Sequence, residues 1–189
     1  MKFDTAVIFA GGKSSRMKRD KALLPFGGYN TLTEYQYERL SKIFNRVYIS
    51  TKSNKFDFDA NMIFDNSPIF SPLVGIISIF ETLDLDEVFI ISVDIPFINE
   101  DIIQKLYKNS SIEHDIIVAK SKNGIEPLCG IYKKDVLEVA KANLENNVHK
   151  LKALLNSLNT KVVDFNLKDE FLNLNTPQLY YSSLKLSAI

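Results

Sequence analysis

Apolar residues in this chain fall into short unbroken runs that alternate with stretches of helical period. Thr5-Ala6-Val7-Ile8-Phe9 is such a run. It halts at Ala10-Gly11-Gly12 and predicts a central strand buried on both faces that ends in a turn. Thr31 and Glu34 have the spacing of a capping box, and Leu32, Tyr35, Leu40 and Ile43 continue at roughly helical intervals, which predicts a helix to about Ile43. Val47 to Ser50 and Met62 to Phe64 read as strands. Leu73 to Leu83 reads as a helix entered at Pro72. The clearest strand is Val88 to Val93, ending at Asp94-Ile95-Pro96, and a helix capped by Asn99 with Ile102, Ile103 and Leu106 inward is expected next.

Strands are further expected at Ile116 to Ala119, Leu128 to Tyr132 and Val162-Val163, with helices at Val136 to Leu144 and Val148 to Leu158. Thr176-Pro177 has the form of a last helix start. Strands alternating with helices across short loops imply an α/β layered fold with a largely parallel sheet. No repeat or linker interrupts the pattern, and 189 residues at 46% hydrophobic suit one domain, 1–189, better than two.

Charge narrows the function. Lys plus Arg and Asp plus Glu each number 23, so no net field steers the chain toward nucleic acid or an anionic membrane. Thr5 to Gly12 is too short for a signal peptide or a membrane span, so the chain is expected to begin at Met1. The lone Cys129 allows no intrachain disulfide, and His114 and His149 have no metal-ligand spacing, which fits a reducing cytoplasm.

Against that neutral background, the segment after the first strand is basic: Lys13, Arg16, Lys18, Arg19 and Lys21 surround one acid, Asp20. Ligands of parallel α/β sheets bind beyond the carboxyl ends of the strands, where this segment lies. Gly11 and Gly12 lack a Cβ, so their amides can closely approach an anion such as a triphosphate. Gly12-Lys13-Ser14 is not the tail of a P-loop, because Val7 stands where that motif has its first glycine. The dinucleotide pattern of spaced glycines is absent as well. A carboxylate ending an apolar strand, as Asp94 does, needs either a cation or a capping role in the following turn.

Phe9-Ala10-Gly11-Gly12, Ser15-Arg16-Met17 and Asp20-Lys21-Ala22-Leu23-Leu24 resemble the L-A-G-G-x-S-x-R-M-G-x-D-K signature of molybdenum cofactor guanylyltransferases. Asp65, Val93-Asp94-Ile95-Pro96 and Asn173-Leu174-Asn175-Thr176-Pro177 extend the resemblance over essentially the whole chain. It implies a three-layer Rossmann-like nucleotidyltransferase fold. It also implies transfer of GMP from GTP to the terminal phosphate of molybdopterin with release of pyrophosphate. Lys21, Arg16 and Asp94 would be catalytic, with Asp94 holding Mg²⁺. Phe9, Ala10, Gly11, Gly12, Lys21, Ser50, Asp65, Gly75 and Asp94 would meet the nucleotide, and Asn173 and Asn175 the pterin.

Asn173 and Asn175 flank Leu174, so on an extended segment both amides face one way. The loop cations are expected to serve the nucleotide and the two asparagines the acceptor, independently. The family also implies partner proteins of cofactor biosynthesis. The chain departs from it at Lys18, usually glycine, at Ser50, commonly asparagine, and in a loop one residue tighter before Asp20. Ala10-Gly11-Gly12 favours guanylyl transfer over the cytidylyl relatives, which tend to L-A-A-G. Sugar-phosphate nucleotidylyltransferases share the loop but are longer. A silent nucleotide-binding regulator would be expected to lose Asp94 or Lys21.

Overall fold

The computed structural model describes residues 2–12, 17, 19–65 and 67–185. The elements run β1 (Phe3–Phe9), a 3₁₀ turn (Lys21–Leu23), α1 (Leu32–Ser41), β2 (Phe44–Thr51), β3 (Asn61–Phe64), α2 (Pro72–Thr82) and β4 (Glu87–Ser92). They continue with α3 (Glu100–Lys108), β5 (Ile116–Ser121), β6 (Gly124–Lys133), α4 (Val136–Glu145), α5 (Leu151–Ser157), β7 (Thr160–Asp164) and α6 (Pro177–Ser183). The strands form one sheet in the order β3-β2-β1-β4-β6-β5-β7. Every neighbouring pair is parallel except the two made by β6, which runs against both β4 and β5.

Burial on both faces explains the unbroken apolar runs. Along β1, Ala6 and Ile8 join a core with Leu32 and Leu40 of α1, Ile103 and Leu106 of α3 and Tyr180 of α6. The alternate residues Val7 and Phe9 join a second core with Ile76 and Ile79 of α2, Ala140 of α4 and Leu154 of α5. The result is the three-layer arrangement expected. Each fully buried Ile or Leu contributes about 1.5–3 kcal/mol, so these two seams dominate stability.

The helix ends follow their sequence signals. Thr31 Oγ1 accepts from Glu34 N at 3.0 Å, but Glu34 returns its carboxylate to Asn30 N at 3.1 Å, one residue earlier than a capping box requires. Asn99 Oδ1 accepts from Ile102 N at 3.1 Å, and Ser71 and Thr176 cap helices that both begin with proline.

Two expectations are corrected. The helix predicted from Val148 starts only at Leu151, because Asn147 takes a φ of 57° and Val148 N turns back onto Asn143 O at 2.8 Å. The strand predicted from Leu128 starts at Gly124 and hairpins onto β5, with an irregularity of register between Val118 and Ala119.

Beside that irregularity, a Cβ on Gly130 would stand 2.3 Å from Ile117 O and 2.9 Å from Val118 Cα. Neither backbone atom can yield without opening the ladder. Gly130→Ala is therefore expected to destabilise the fold by about 2–3 kcal/mol, read from urea denaturation midpoints.

Candidate functional site

Register gathers the site at one edge of the sheet. Phe9 at the end of β1 lies level with Ser50 of β2 on one side and Ser92 of β4 on the other. The next residues are tied in the same way: Ala10 N donates to Ser50 O at 3.0 Å, Val93 N to Phe9 O at 3.1 Å and Asp65 N to Thr51 O at 3.0 Å. Four strand ends thus place Gly11, Lys52 and Asp65 on one hollow and Gly11 and Asp94 on its neighbour. The crossover from β3 through α2 to β4, on the other side of β1, makes the switch in strand order beside which α/β sheets open a crevice.

Asp94 is 6% exposed and its carboxylate is fully engaged. Oδ1 accepts from Ser92 Oγ at 2.6 Å, and Oδ2 accepts from the Lys21 ammonium in an ion pair. The same ammonium donates to Asn175 Oδ1 at 2.7 Å. The cation that meets Asp94 in the structure is thus the Lys21 ammonium. The main chain repeats the link, since Leu174 N donates to Asp94 O at 2.8 Å while the Leu174 side chain is fully buried.

The turn carrying Asp94 is fixed from behind by α1. Gln36 Nε2 donates to Ile95 O at 3.3 Å, and the Arg39 guanidinium donates to Ile98 O and, at 2.6 Å, to Gln36 Oε1. Burial lowers the Arg39 pKa to about 10, so the group stays charged at neutral pH.

Two hollows meet at the glycine segment. The larger, about 250 Å³, has Phe9, Gly11 and Gly12 along one side and Ser50, Lys52 and Asp65 along another, with Phe70, Gly75 and Leu128 completing it. The smaller, about 200 Å³, runs from Gly11 and Gly12 past Asp20 and Lys21 to Ser92 and Asp94. A Cβ on Gly12 would meet nothing within 4 Å, and one on Gly11 only Ser50 O and Thr51 Cα at 3.9 Å. Among the described residues nothing requires glycine at either position, so what the missing side chains leave open is the hollow. Gly75 differs: its Cβ would lie 2.6 Å from the Phe9 ring and 3.3 Å from Ser50 Oγ, so it lets α2 close on β1 and β2.

Asp65 follows β3 and faces Lys52. Its Oδ1 accepts from Ser67 N at 3.3 Å in an Asx turn and lies 3.5 Å from Lys52 Nζ. Lys52 also donates to Ser67 O at 2.6 Å and Ile69 O at 3.1 Å, and sits 4.2 Å above the ring of Phe70, which is 58% exposed at the rim.

The asparagines depart from expectation. Asn175 N donates to Asn173 O at 2.8 Å, so the segment is tightly turned rather than extended. Asn175 reaches Lys21, whereas Asn173 Oδ1 is buried without a hydrogen-bond partner. The loop cation and the C-terminal amide are therefore joined by a direct contact. Arg19 lines a separate hollow with Tyr180 and Tyr181 of α6. Arg16, Lys13 and Lys18 lie outside the described residues.

Three charged residues were not found from sequence. Lys52 and Lys55 stand in the connection after β2, and the rule that ligands meet loops after parallel strands could have singled them out. Glu126 of β6 is half-buried. Burial raises its pKa first, the Ser121 hydroxyl at 2.7 Å lowers it, and the negative charge of Asp94 raises it again.

A glycine segment and strand-end acids at the switch in a mostly parallel sheet define a nucleotidyltransferase. The chain belongs to the MobA-like NTP transferase domain family, whose model matches residues 6–162. It is 38% identical over 176 residues to a molybdenum cofactor guanylyltransferase of Campylobacter jejuni subsp. doylei, covering 92% of each chain. It is 34% identical over 188 residues to the protein of that name from Helicobacter pylori strain G27, covering 95% of this chain and 91% of the relative. The fold is that of molybdopterin-guanine dinucleotide biosynthesis protein A from Archaeoglobus fulgidus, with a TM-score of 0.82 at 19% identity over 96% of this chain and 97% of that one. Among the described residues, no helix is long and apolar enough to cross a membrane.

Because Lys21 contacts both Asp94 and Asn175, removing the two side chains should not have independent effects. In a double-mutant cycle on nucleotide-free protein, Lys21→Ala and Asn175→Ala are expected to depart from additivity by about 0.5–3 kcal/mol in unfolding free energy. Additive losses would refute the coupling.

Proposed function

We infer that this nucleotidyltransferase transfers GMP from GTP to the terminal phosphate of molybdopterin. An oxygen of the acceptor phosphate attacks the α-phosphorus, the bond from that phosphorus to the bridging oxygen breaks, and pyrophosphate leaves. The observation that carries the reading is Lys21, held between Asp94 and Asn175 where the glycine segment meets the C-terminal segment. The names of the relatives at 38% and 34% identity support guanylyl transfer and the molybdenum cofactor as acceptor.

In this reading the hollow between Phe9, Ser50, Asp65 and Gly75 takes the nucleoside, and the cleft from Gly12 to Asp94 takes the phosphates. The amides of Gly11 and Gly12 donate to phosphate oxygens, and Lys21, with Arg16, adds positive charge where negative charge develops. No protein nucleophile is needed, since aligning the two phosphates supplies most of the acceleration.

The donor set fits Mg²⁺. No group of three or more His, Cys, Asp or Glu forms a cage among the described residues, and Mg²⁺ takes one or two carboxylates together with phosphate oxygens and water. Asp94 would hold it, and the ion would neutralise charge on the triphosphate. With the ion bound, Lys21 would turn its ammonium from Asp94 to the phosphates. Asn173, whose carbonyl oxygen is buried without a partner, suits the N–H groups of a pterin, with Asn175 beside it. Molybdopterin would come from a partner protein of cofactor synthesis.

Pyrophosphate release with GTP and molybdopterin is expected to exceed that with CTP by about tenfold or more, a discrimination of about 1.4 kcal/mol or more. Faster release with CTP would overturn the choice of base. Asp94→Asn is expected to lower turnover by about two orders of magnitude, and wild-type turnover at saturating Mg²⁺ would remove Asp94 from the mechanism.

A further inference from the structure

Lys55 lies in the connection between β2 and β3 and belongs to none of the roles assigned above. Its ammonium donates to the carbonyl oxygen of Ala10 at 3.2 Å and to the carboxylate of Asp20. These are the two stems of the glycine loop: Ala10 follows β1, and Asp20 precedes the 3₁₀ turn that carries Lys21. Asp20 spends its other oxygen on that turn, accepting from Ala22 N at 3.1 Å. One cation therefore joins both ends of the loop and, through the Asp20 cap, the base of the Lys21 side chain.

The post on which Lys55 stands is itself fixed. Asn54 Oδ1 accepts from Phe56 N at 3.2 Å, and the Phe56 ring is buried in the core against Phe58. An ion pair whose side chains are 22% and 34% exposed would by itself stabilise the fold little. The placement matters more than the pair, because the second bond goes to the main chain at the far stem of the same loop.

We propose that Lys55 is a positioning residue that sets the separation of Ala10 and Asp20, and through it the aim of the Gly11 and Gly12 amides and of Lys21. It rests on the reading that this loop holds a triphosphate. The role differs from that of a phosphate ligand, since Lys55 acts on the protein before any nucleotide arrives.

Lys55→Met keeps the unbranched stem of the side chain without its ammonium. Amide exchange by NMR in nucleotide-free protein should accelerate at Ala22 and Leu23, whose amides bond to Asp20 Oδ1 and Asp20 O, while the thermal midpoint stays near that of the wild type. Titration calorimetry should then show Mg·GTP bound roughly tenfold more weakly, with guanosine affinity changed by about twofold or less, because only the phosphates depend on the loop. Asp20→Asn opens the same tie from its other end, so the two substitutions together should cost little more than either alone. Unchanged exchange in Lys55→Met, equal losses for GTP and guanosine, or additive losses in the double variant would each overturn the proposal. A wild-type protein that binds no GTP would defeat the nucleotide reading, and the exchange measurement would still decide whether Lys55 braces the loop.

Discussion

A carboxylate at the end of an apolar strand cannot stay charged without a partner, and the arrangement of this molecule around Asp94 answers that constraint. Ser92 and Lys21 satisfy its two oxygens, and its own carbonyl receives Leu174 N. Strand β4, the turn after the glycine loop and the segment before α6 therefore converge on one side chain. The cost of leaving such a group unpaired is several kcal/mol, larger than any single contact in the surrounding loops. Gln36 and Arg39 hold the backbone of the same turn from the opposite side, so the acid is fixed through its main chain as well as its carboxylate.

A single cation on Asp94 gives the site two settings. With Lys21 on the carboxylate, the charge is compensated inside the protein and the cleft is stable without a ligand. In the proposed reaction Mg²⁺ would take over Asp94, and the Lys21 ammonium would exchange that anionic partner for the triphosphate. Asn175 lies on the path of that exchange, which links the nucleotide end of the site to the C-terminal segment.

Much of this was legible from the order of residues. Strands such as β4 announce themselves because burial on both faces makes Val88 to Ile91 an unbroken apolar run. The convergence of Gly11, Asp65 and Asp94 follows once those strands are placed side by side. Strand direction leaves no such trace, and the reversal of β6 required the structure. Neither did the contacts of Lys55 and Lys52, whose partners are distant in sequence or are backbone carbonyls, with no spacing that marks them. The turn at Asn173 to Asn175 was misjudged for a related reason: alternation assumes an extended chain, and one hydrogen bond between neighbours suspends it.

The reversal of β6 also has a bearing on how such a scaffold diversifies. Since β5 runs with β4, its far end and the hairpin turn at Lys122 and Asn123 reach the same rim as the strand-end acids, and the first residues of β6 descend from that rim past Glu126 and Leu128. The hairpin crosses no core layer, so residues can be inserted there without disturbing a helix or a parallel ladder. Lineages that share the sheet and the glycine segment could thus evolve different second substrates by lengthening one turn, leaving the apparatus around β1 and β4 intact.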